Sequence, residues 1–400
     1  MAAPETILPQ AGLGQAVVIA RPYSSNQLPG PAKHIELGNF GRLAALAFEV
    51  GPPLFVDMAS KDVLHRLPNC HAADNTRVRV TADGLISLSC DQNGDACVVY
   101  VPTPELLGHI TLAPGCCAFA MTKSGEFAWA IDHQAHLHAW HLPTFAKIAS
   151  VPMDPHGQFG TVVDVACAES HSTLLVAWTQ AVELFSLASA TDLTKRVSLT
   201  ATHAITSALA INTNNTLFAF GDAHARIALH TIADGALLKI FQHFDSSRPI
   251  IALDLNATGS KAVYAIEQDP SFYLASITSS SLLAAYHHLS KPVNDVKFLH
   301  TIDCIMSVGQ DGFLKTWPAD VSGYVRATPG RTHVPAQPQA PVEELPVATE
   351  LPEHMPAHAA SANKPQAPIA SNDVPPLLAR PRFLASGPNP NQEDNLPDLF

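Results

Sequence analysis

Four histidines, His133, His136, His138 and His141, crowd one short stretch of this 400-residue chain. On a β-strand, side chains two residues apart share a face, so His136 and His138 have the spacing to chelate a borderline metal with His133 from the preceding turn. A closed site needs a fourth ligand and groups that orient the imidazoles, and the neighbouring sequence offers neither. The chain also carries 20 histidines, many beside turn residues. A structural role is therefore expected. Cys116-Cys117 place two thiols on opposite faces of a strand with no nearby cation to lower a thiol pKa, which reads as packing. Asp57, Asp132, Asp164, Asp222, Glu267 and Asp311 fall near strand ends and turns, where separated loops can assemble an active site. Turn aspartates ordinarily cap backbone N–H groups instead. No nucleophile elbow, glycine-rich phosphate loop, zinc-protease helix or paired-carboxylate motif is found. The chain is expected not to be an enzyme, and no residue is assigned to catalysis, to a cofactor or to a metal.

A formal net charge of −12 argues against wholesale phosphate binding, which needs clustered Lys and Arg. Arg77, Arg79, Lys195, Arg196 and Arg226 form no basic stripe and alternate with no aromatic residues, so a stacking platform for nucleic acid is missing. The seven cysteines (Cys70, Cys90, Cys97, Cys116, Cys117, Cys167 and Cys304) contain no CxxC pair and read as reduced thiols of an intracellular protein. Residues 1–10 lack the pattern of a secretion leader, and 11–20 are too short and glycine-rich for a membrane span. The glycosylation sequons Asn214-Asn215-Thr216 and Asn256-Ala257-Thr258 read better as turns. A cytoplasmic rather than nuclear location is expected.

The elements that must position these residues are announced by a repeated phrase. An apolar residue, a few small or polar residues ending in a turn, and a second apolar strand recur at Val80-Thr81-Ala82-Asp83-Gly84, Met121-Thr122-Lys123-Ser124-Gly125, Ile211-Asn212-Thr213-Asn214-Asn215 and Leu255-Asn256-Ala257-Thr258-Gly259. Looser versions at Phe48, Cys167 and Phe298 complete a set of anchors separated by 32, 41, 46, 44, 44 and 43 residues. A period in the low forties marks a β-propeller blade. After each turn come two short β-rich runs, such as 127–130 and 135–140, or 217–220 and 225–230. An all-β, seven-bladed propeller is expected over 32–326, preceded by an N-terminal arm at 1–31. The first spacing of 32 leaves blade 1 short, lacking an outer strand or changing the count to six or eight.

Val293-Asn294-Asp295-Val296-Lys297-Phe298, followed by Ser307-Val308-Gly309-Gln310-Asp311-Gly312-Phe313-Leu314-Lys315-Thr316-Trp317, resembles the second and third strands of a WD-repeat around an Asp-Gly turn. The resemblance covers 32–326 and implies a WD-repeat-like protein-interaction propeller. Trp140 and Trp317 are followed by His141 and Pro318 in place of aspartate, and only Gly108-His109 keeps the family's Gly-His pair. The buried Asp–His–Ser–Trp network of better-conserved blades is therefore expected to be mostly missing. The resemblance also implies that the segment before the first anchor, His34-Ile35-Glu36-Leu37, closes the ring as the outer strand of the last blade, with 15–21 a further candidate strand. The paired arginines of phosphoinositide-binding propellers are absent.

Residues 327–400 hold 15 of the 33 prolines, eight acidic residues against four basic ones, and only Phe383 and Phe400 as aromatics. Such a segment is expected to be a disordered, Pro-rich acidic tail. Pro335, Pro338 and Pro341 recur with the period of polyproline II, four residues after Arg331. Leu396, Asp398, Leu399 and Phe400 resemble the acidic Asp-Leu-Phe peptides read by clathrin-adaptor appendage domains. The functional expectation is a non-catalytic WD-repeat-like scaffold subunit of an intracellular protein complex, its tail tethering a further partner, with no direct nucleic acid and no membrane insertion. A structural propeller of a ribonucleoprotein or ribosome-maturation complex, and a propeller hydrolase or lactonase with a channel site, are the alternatives.

Overall fold

The computed structural model describes residues 18–321, apart from 21, 49–50, 68–70, 72–74, 92, 113–117, 155–156, 170–171, 190, 244–246, 289–290 and 301–302. Two short strands lead, β1 (Val18–Ala20) and β2 (Ser24–Gln27). Blade 1 follows as β3 (Ala32–Gly38), β4 (Leu43–Phe48), β5 (Leu54–Asp57) and β6 (Val63–Arg66). Blade 2 is β7 (Asn75–Val80), β8 (Ile86–Asp91), β9 (Asp95–Tyr100) and β10 (Glu105–Thr111). Blade 3 is β11 (Phe119–Met121), β12 (Phe127–Ile131), β13 (His136–His141) and β14 (Ala146–Pro152). Blade 4 is β15 (Val162–Ala168), β16 (Thr173–Trp178), β17 (Ala181–Leu187) and β18 (Leu193–Thr200). Blade 5 is β19 (Ala210–Ile211), β20 (Leu217–Gly221), β21 (Arg226–Thr231) and β22 (Leu237–Gln242). Blade 6 is β23 (Ile250–Leu255), β24 (Lys261–Ile266), β25 (Ser271–Ser276) and β26 (Ser281–His287). Blade 7 is β27 (Val293–Leu299), β28 (Cys304–Gly309) and β29 (Phe313–Pro318), completed by β2.

The ring is visible in where the apolar side chains go. Successive residues of a strand point to opposite faces. Val263 and Ala265 of β24 therefore pack toward blade 7, while Ala262, Tyr264 and Ile266 pack toward blade 5. Repeated around the molecule, this gives one apolar cluster for every pair of adjacent blades, including blade 7 against blade 1. Both faces of each blade are buried, so the second strands read as unbroken apolar runs such as Leu43-Ala44-Ala45-Leu46-Ala47-Phe48 rather than as alternation. The many alanines allow neighbouring sheets to approach.

The repeated phrase has a mechanical basis. The residue after each anchor turns its side-chain oxygen on the amide that starts the next strand: Thr81 accepts from Ile86 at 3.0 Å, Thr122 from Phe127 at 3.0 Å, Asn212 from Leu217 at 2.9 Å and Asn256 from Lys261 at 2.9 Å. The turn then needs one residue in the left-handed region, filled by Gly41, Gly84, Gly125, Ser172, Asn215, Gly259 and Asp303 in blades 1 to 7.

These positions correct two expectations. The blade 1 anchor is Leu37 of β3, which pairs with Ala44 as Val80 pairs with Ser87; Phe48 ends the second strand instead. Blade 1 has four strands and is not short. Nor do His34, Ile35, Glu36 and Leu37 close the ring, since β3 is the innermost strand of blade 1. Closure falls to β2, which pairs antiparallel with β29 through Ser24↔Thr316 and Gln27↔Phe313. Its hydrophilic sequence, Ser-Ser-Asn-Gln, carries no hydrophobic strand signal because an outermost strand needs little burial. The candidate strand at 15–21 is found as β1, which adds to the outer edge of blade 6 in parallel with β26. Among the described residues no helix is long and apolar enough to cross a membrane.

Candidate functional site

The inner strands of the blades border the axis of the ring, and among the described residues each leaves one backbone edge without a strand partner. Side chains from the preceding blade satisfy part of that edge. Asp164 of blade 4 accepts from the Leu209 amide of blade 5 at 2.9 Å, Asp254 of blade 6 from Phe298 of blade 7 at 2.7 Å, and Asp295 of blade 7 from Ile35 of blade 1 at 2.9 Å. Arg79 of blade 2 donates through Nε to the Phe119 carbonyl of blade 3 at 3.3 Å. The carbonyl of Ala32 accepts from Asn294 at 2.8 Å. A buried backbone group left alone would carry its full desolvation cost, so these contacts hold adjacent blades in register.

The same side chains form a charge network. His34 Nδ1 lies 2.8 Å from Asp295, and its Nε2 lies 3.6 Å from Glu36. Glu36 accepts from Arg79 at 2.8 Å. Arg79 and Arg77 both pair with Asp164 of blade 4, passing over blade 3. They can do so because blade 3 carries Ala118 and Ala120 where blade 2 carries Arg77 and Arg79. Burial pushes the Glu36 carboxyl up, but the Arg79 charge, the His34 hydrogen bond and the Lys297 charge outweigh it and bring the pKa down to about 2. Burial opposes the charged form of Lys297, yet Asp254, Asp295 and Glu36 hold its pKa above the ordinary value. Asp254 is the exception, raised because burial outweighs Lys297. An axis whose charges already neutralise one another leaves little attraction for an ionic ligand.

The candidate residues fall elsewhere and apart. Asp132 accepts from the Gln134 and His136 amides at 2.9 and 2.8 Å, and its second oxygen takes His138 Nε2 at 3.0 Å. His136 and His138 share a face, with rings stacked at 6.3 Å, while His141 turns to Thr144 at 2.8 Å. Exposed His133 sits in the turn. Among the described residues no group of three or more His, Cys, Asp or Glu side chains has the geometry to hold a metal ion. Asp57, Asp222 and Asp311 likewise cap the amides of their own turns. Glu267 is an exposed turn residue, and only Asp164 of this set belongs to the axial network. Arg226 pairs with Asp222 at 2.7 Å, and Lys195 with the buried Glu183. Cys116, Cys117, Pro335, Pro338, Pro341, Leu396, Asp398, Leu399 and Phe400 lie outside the described residues.

Sequence reasoning missed a second group of polar side chains, the histidines that follow outer strands. His288, just after β26, is buried and lies 3.0 Å from Asp311, which also takes the Lys315 ammonium at 2.7 Å; Trp317 donates to Ser307 at 2.8 Å in the same blade. Burial first, and the Lys315 charge next, lower the His288 pKa to about 4. His243 occupies the corresponding place before blade 6 and meets the Tyr264 hydroxyl at 2.6 Å, while His71 meets Ser89 at 2.8 Å before blade 2. Blade 7 thus keeps two contacts of that network, His288 with Asp311 and Trp317 with Ser307, while blades 2 and 6 keep one histidine contact at the corresponding place, so among the described residues the network is mostly missing, as expected. Gly108-His109 is not part of it, since the pair lies within β10, where Gly108 makes room for the Phe145 ring. The signal available in the sequence was a histidine a few residues beyond several outer strands, His71, His203, His243 and His288, hidden by the abundance of histidine elsewhere.

The fold established here is a closed seven-bladed β-propeller. No protein-family model matches the chain, and no curated protein matches it.

Proposed function

We propose that this chain is a non-catalytic, WD-repeat-like scaffold subunit of an intracellular protein complex. The observation that carries the reading is how the polar groups are used. The axial charges pair with one another, and the turn aspartates cap backbone amides, while exposed large aliphatic side chains gather on outermost strands: Val63 and Leu64 on β6, Leu106 on β10, Ile148 on β14, Leu237 and Leu238 on β22. Exposed aliphatic groups on a rigid frame favour binding of other proteins over chemistry on a small molecule. The Trp317–Ser307 and His288–Asp311 contacts support the WD-repeat comparison. The segment after Arg326 acts in this reading as a tether that raises the effective concentration of a further partner.

Affinity purification of the full chain beside a form ending at Arg326, with mass spectrometry of what is recovered, tests the proposal. Stoichiometric partners common to both forms are expected, with a subset lost alongside the tail. Recovery of no stoichiometric partner by either form, together with hydrolase activity in the purified chain, would overturn it.

A further inference from the structure

The outer edge of blade 6 already holds a fifth strand. β1 runs parallel to β26 with Val18, Ile19 and Ala20 opposite Ala284, Ala285 and Tyr286. An outermost strand of this ring therefore carries an added strand beyond the four of its blade. The neighbouring outermost strand, β22 of blade 5, pairs on its inner side with β21, and among the described residues no strand covers its outer side.

β22 is a poorly protected edge. Leu237 and Leu238 lie at a bulge, Leu237 opposite His230 and Lys239 opposite Leu229, and are 46% and 53% exposed. A bulge can blunt an edge, yet β26 carries the same irregularity at Leu283 and still takes β1, so an outermost strand with exposed aliphatic groups is a template for strand addition unless charge or proline guards it. Lys239 alone is a weak guard, because its ammonium reaches away to the Thr278 carbonyl of blade 6. Arg196 extends from β18 of blade 4 to the Ala233 carbonyl, which brings a cation to the turn before β22 in a chain of net charge −12. The nearby acid, Asp234, is held within its own turn by the Thr231 hydroxyl and the Ala236 amide, and feels the Arg196 charge only secondarily.

We propose that the outer edge of β22 is a strand-docking site that takes an extended, aliphatic and acidic segment of a partner polypeptide as a fifth strand, in the way blade 6 takes β1. Main-chain hydrogen bonds supply affinity along the edge, the exposed Leu237 and Leu238 receive aliphatic side chains, and Arg196 at the start of the strand favours carboxylates. The inference rests on the scaffold reading and gives it a site.

Selection of short random peptides displayed on phage against the full chain tests it. Enriched peptides should combine aliphatic and acidic residues and slow hydrogen exchange of amides within Leu237–Gln242. They should lose about tenfold in affinity for Leu237→Asp and Leu238→Asp. Leu238→Thr, which keeps strand propensity, should show the same direction of loss with an unchanged melting temperature. Selected peptides that bind these variants undiminished, or that protect other strands, overturn the docking site while leaving the scaffold reading on another surface. A selection without binders overturns it too, as does binding to phosphatidylserine vesicles, in place of peptides, that the same variants abolish. Partner recovery by affinity purification judges the scaffold reading separately.

Discussion

At the scale of single residues, the axial charges combine stability with vulnerability. Asp164 is 1% exposed, pairs with Arg77 and Arg79, and accepts the Leu209 amide. Replacing it with alanine takes this partner from Arg77 and the Leu209 amide and leaves Arg79 with Glu36 alone, so Asp164→Ala is expected to cost about 3 to 5 kcal/mol in chemical denaturation. Acid acts on the same network. The Glu36 pKa falls from 4.5 to about 2, so its contribution is complete above pH 4.5 and is lost as pH drops through 2. Glu36→Gln should flatten the fall of melting temperature between those values, removing on the order of 2 to 3 kcal/mol of pH-dependent stability. His288, lowered from 6.5 to about 4, contributes stability above pH 6.5 that is lost as pH falls through 4. His288→Asn should therefore remove part of the slope between pH 6.5 and 4 in the same titration, whereas Glu36→Gln leaves that part intact.

At the scale of elements, the turn between the first and second strands of a blade sets the geometry of everything after it. Gly259 has φ +71°, and a Cβ added there would come within 2.5 Å of Leu217 in the adjacent blade. Gly259→Ala is expected to cost about 1 to 3 kcal/mol, read from thermal unfolding, because it combines left-handed strain with an inter-blade clash. These turns were legible in the sequence, because the side chain of Thr81, Thr122, Asn212 or Asn256 and the following left-handed residue form a local unit that needs no tertiary partner. Second and third strands were legible for the same reason: β12, β13, β20 and β21 lie within a residue or two of the expected runs. Blade 1 was misread because Leu43-Ala44-Ala45-Leu46-Ala47-Phe48 is more apolar than β3, so the second strand drew the anchor away from the first.

For the whole molecule, the decisive contact is the one that joins chain start to last blade. Deleting residues 1–22 removes β1 but keeps β2, whereas deleting 1–31 removes both and leaves β29 as an open edge. The shorter deletion is expected to lower the melting temperature modestly, and the longer one to abolish a cooperative transition or drive aggregation, measured by calorimetry and light scattering. Equal melting of the two forms would show that β2 does not close the ring. The apolar cluster between blades 7 and 1, which includes Leu28, Ile35, Met306 and Leu314, would lose Leu28 in the longer form, adding about 1.5 to 3 kcal/mol of lost burial.

The sequence by itself determined the repeat, its period and the strand-turn-strand grammar of each blade, because those features are set by local periodicity and turn chemistry. The tertiary structure alone decided which strand seals the ring, that a fifth strand covers blade 6, and that Arg77 and Arg79 reach Asp164 across the alanines of blade 3. Such pairings join groups far apart in the chain, and their partners are selected by the circular closure of the blades, which no local pattern encodes.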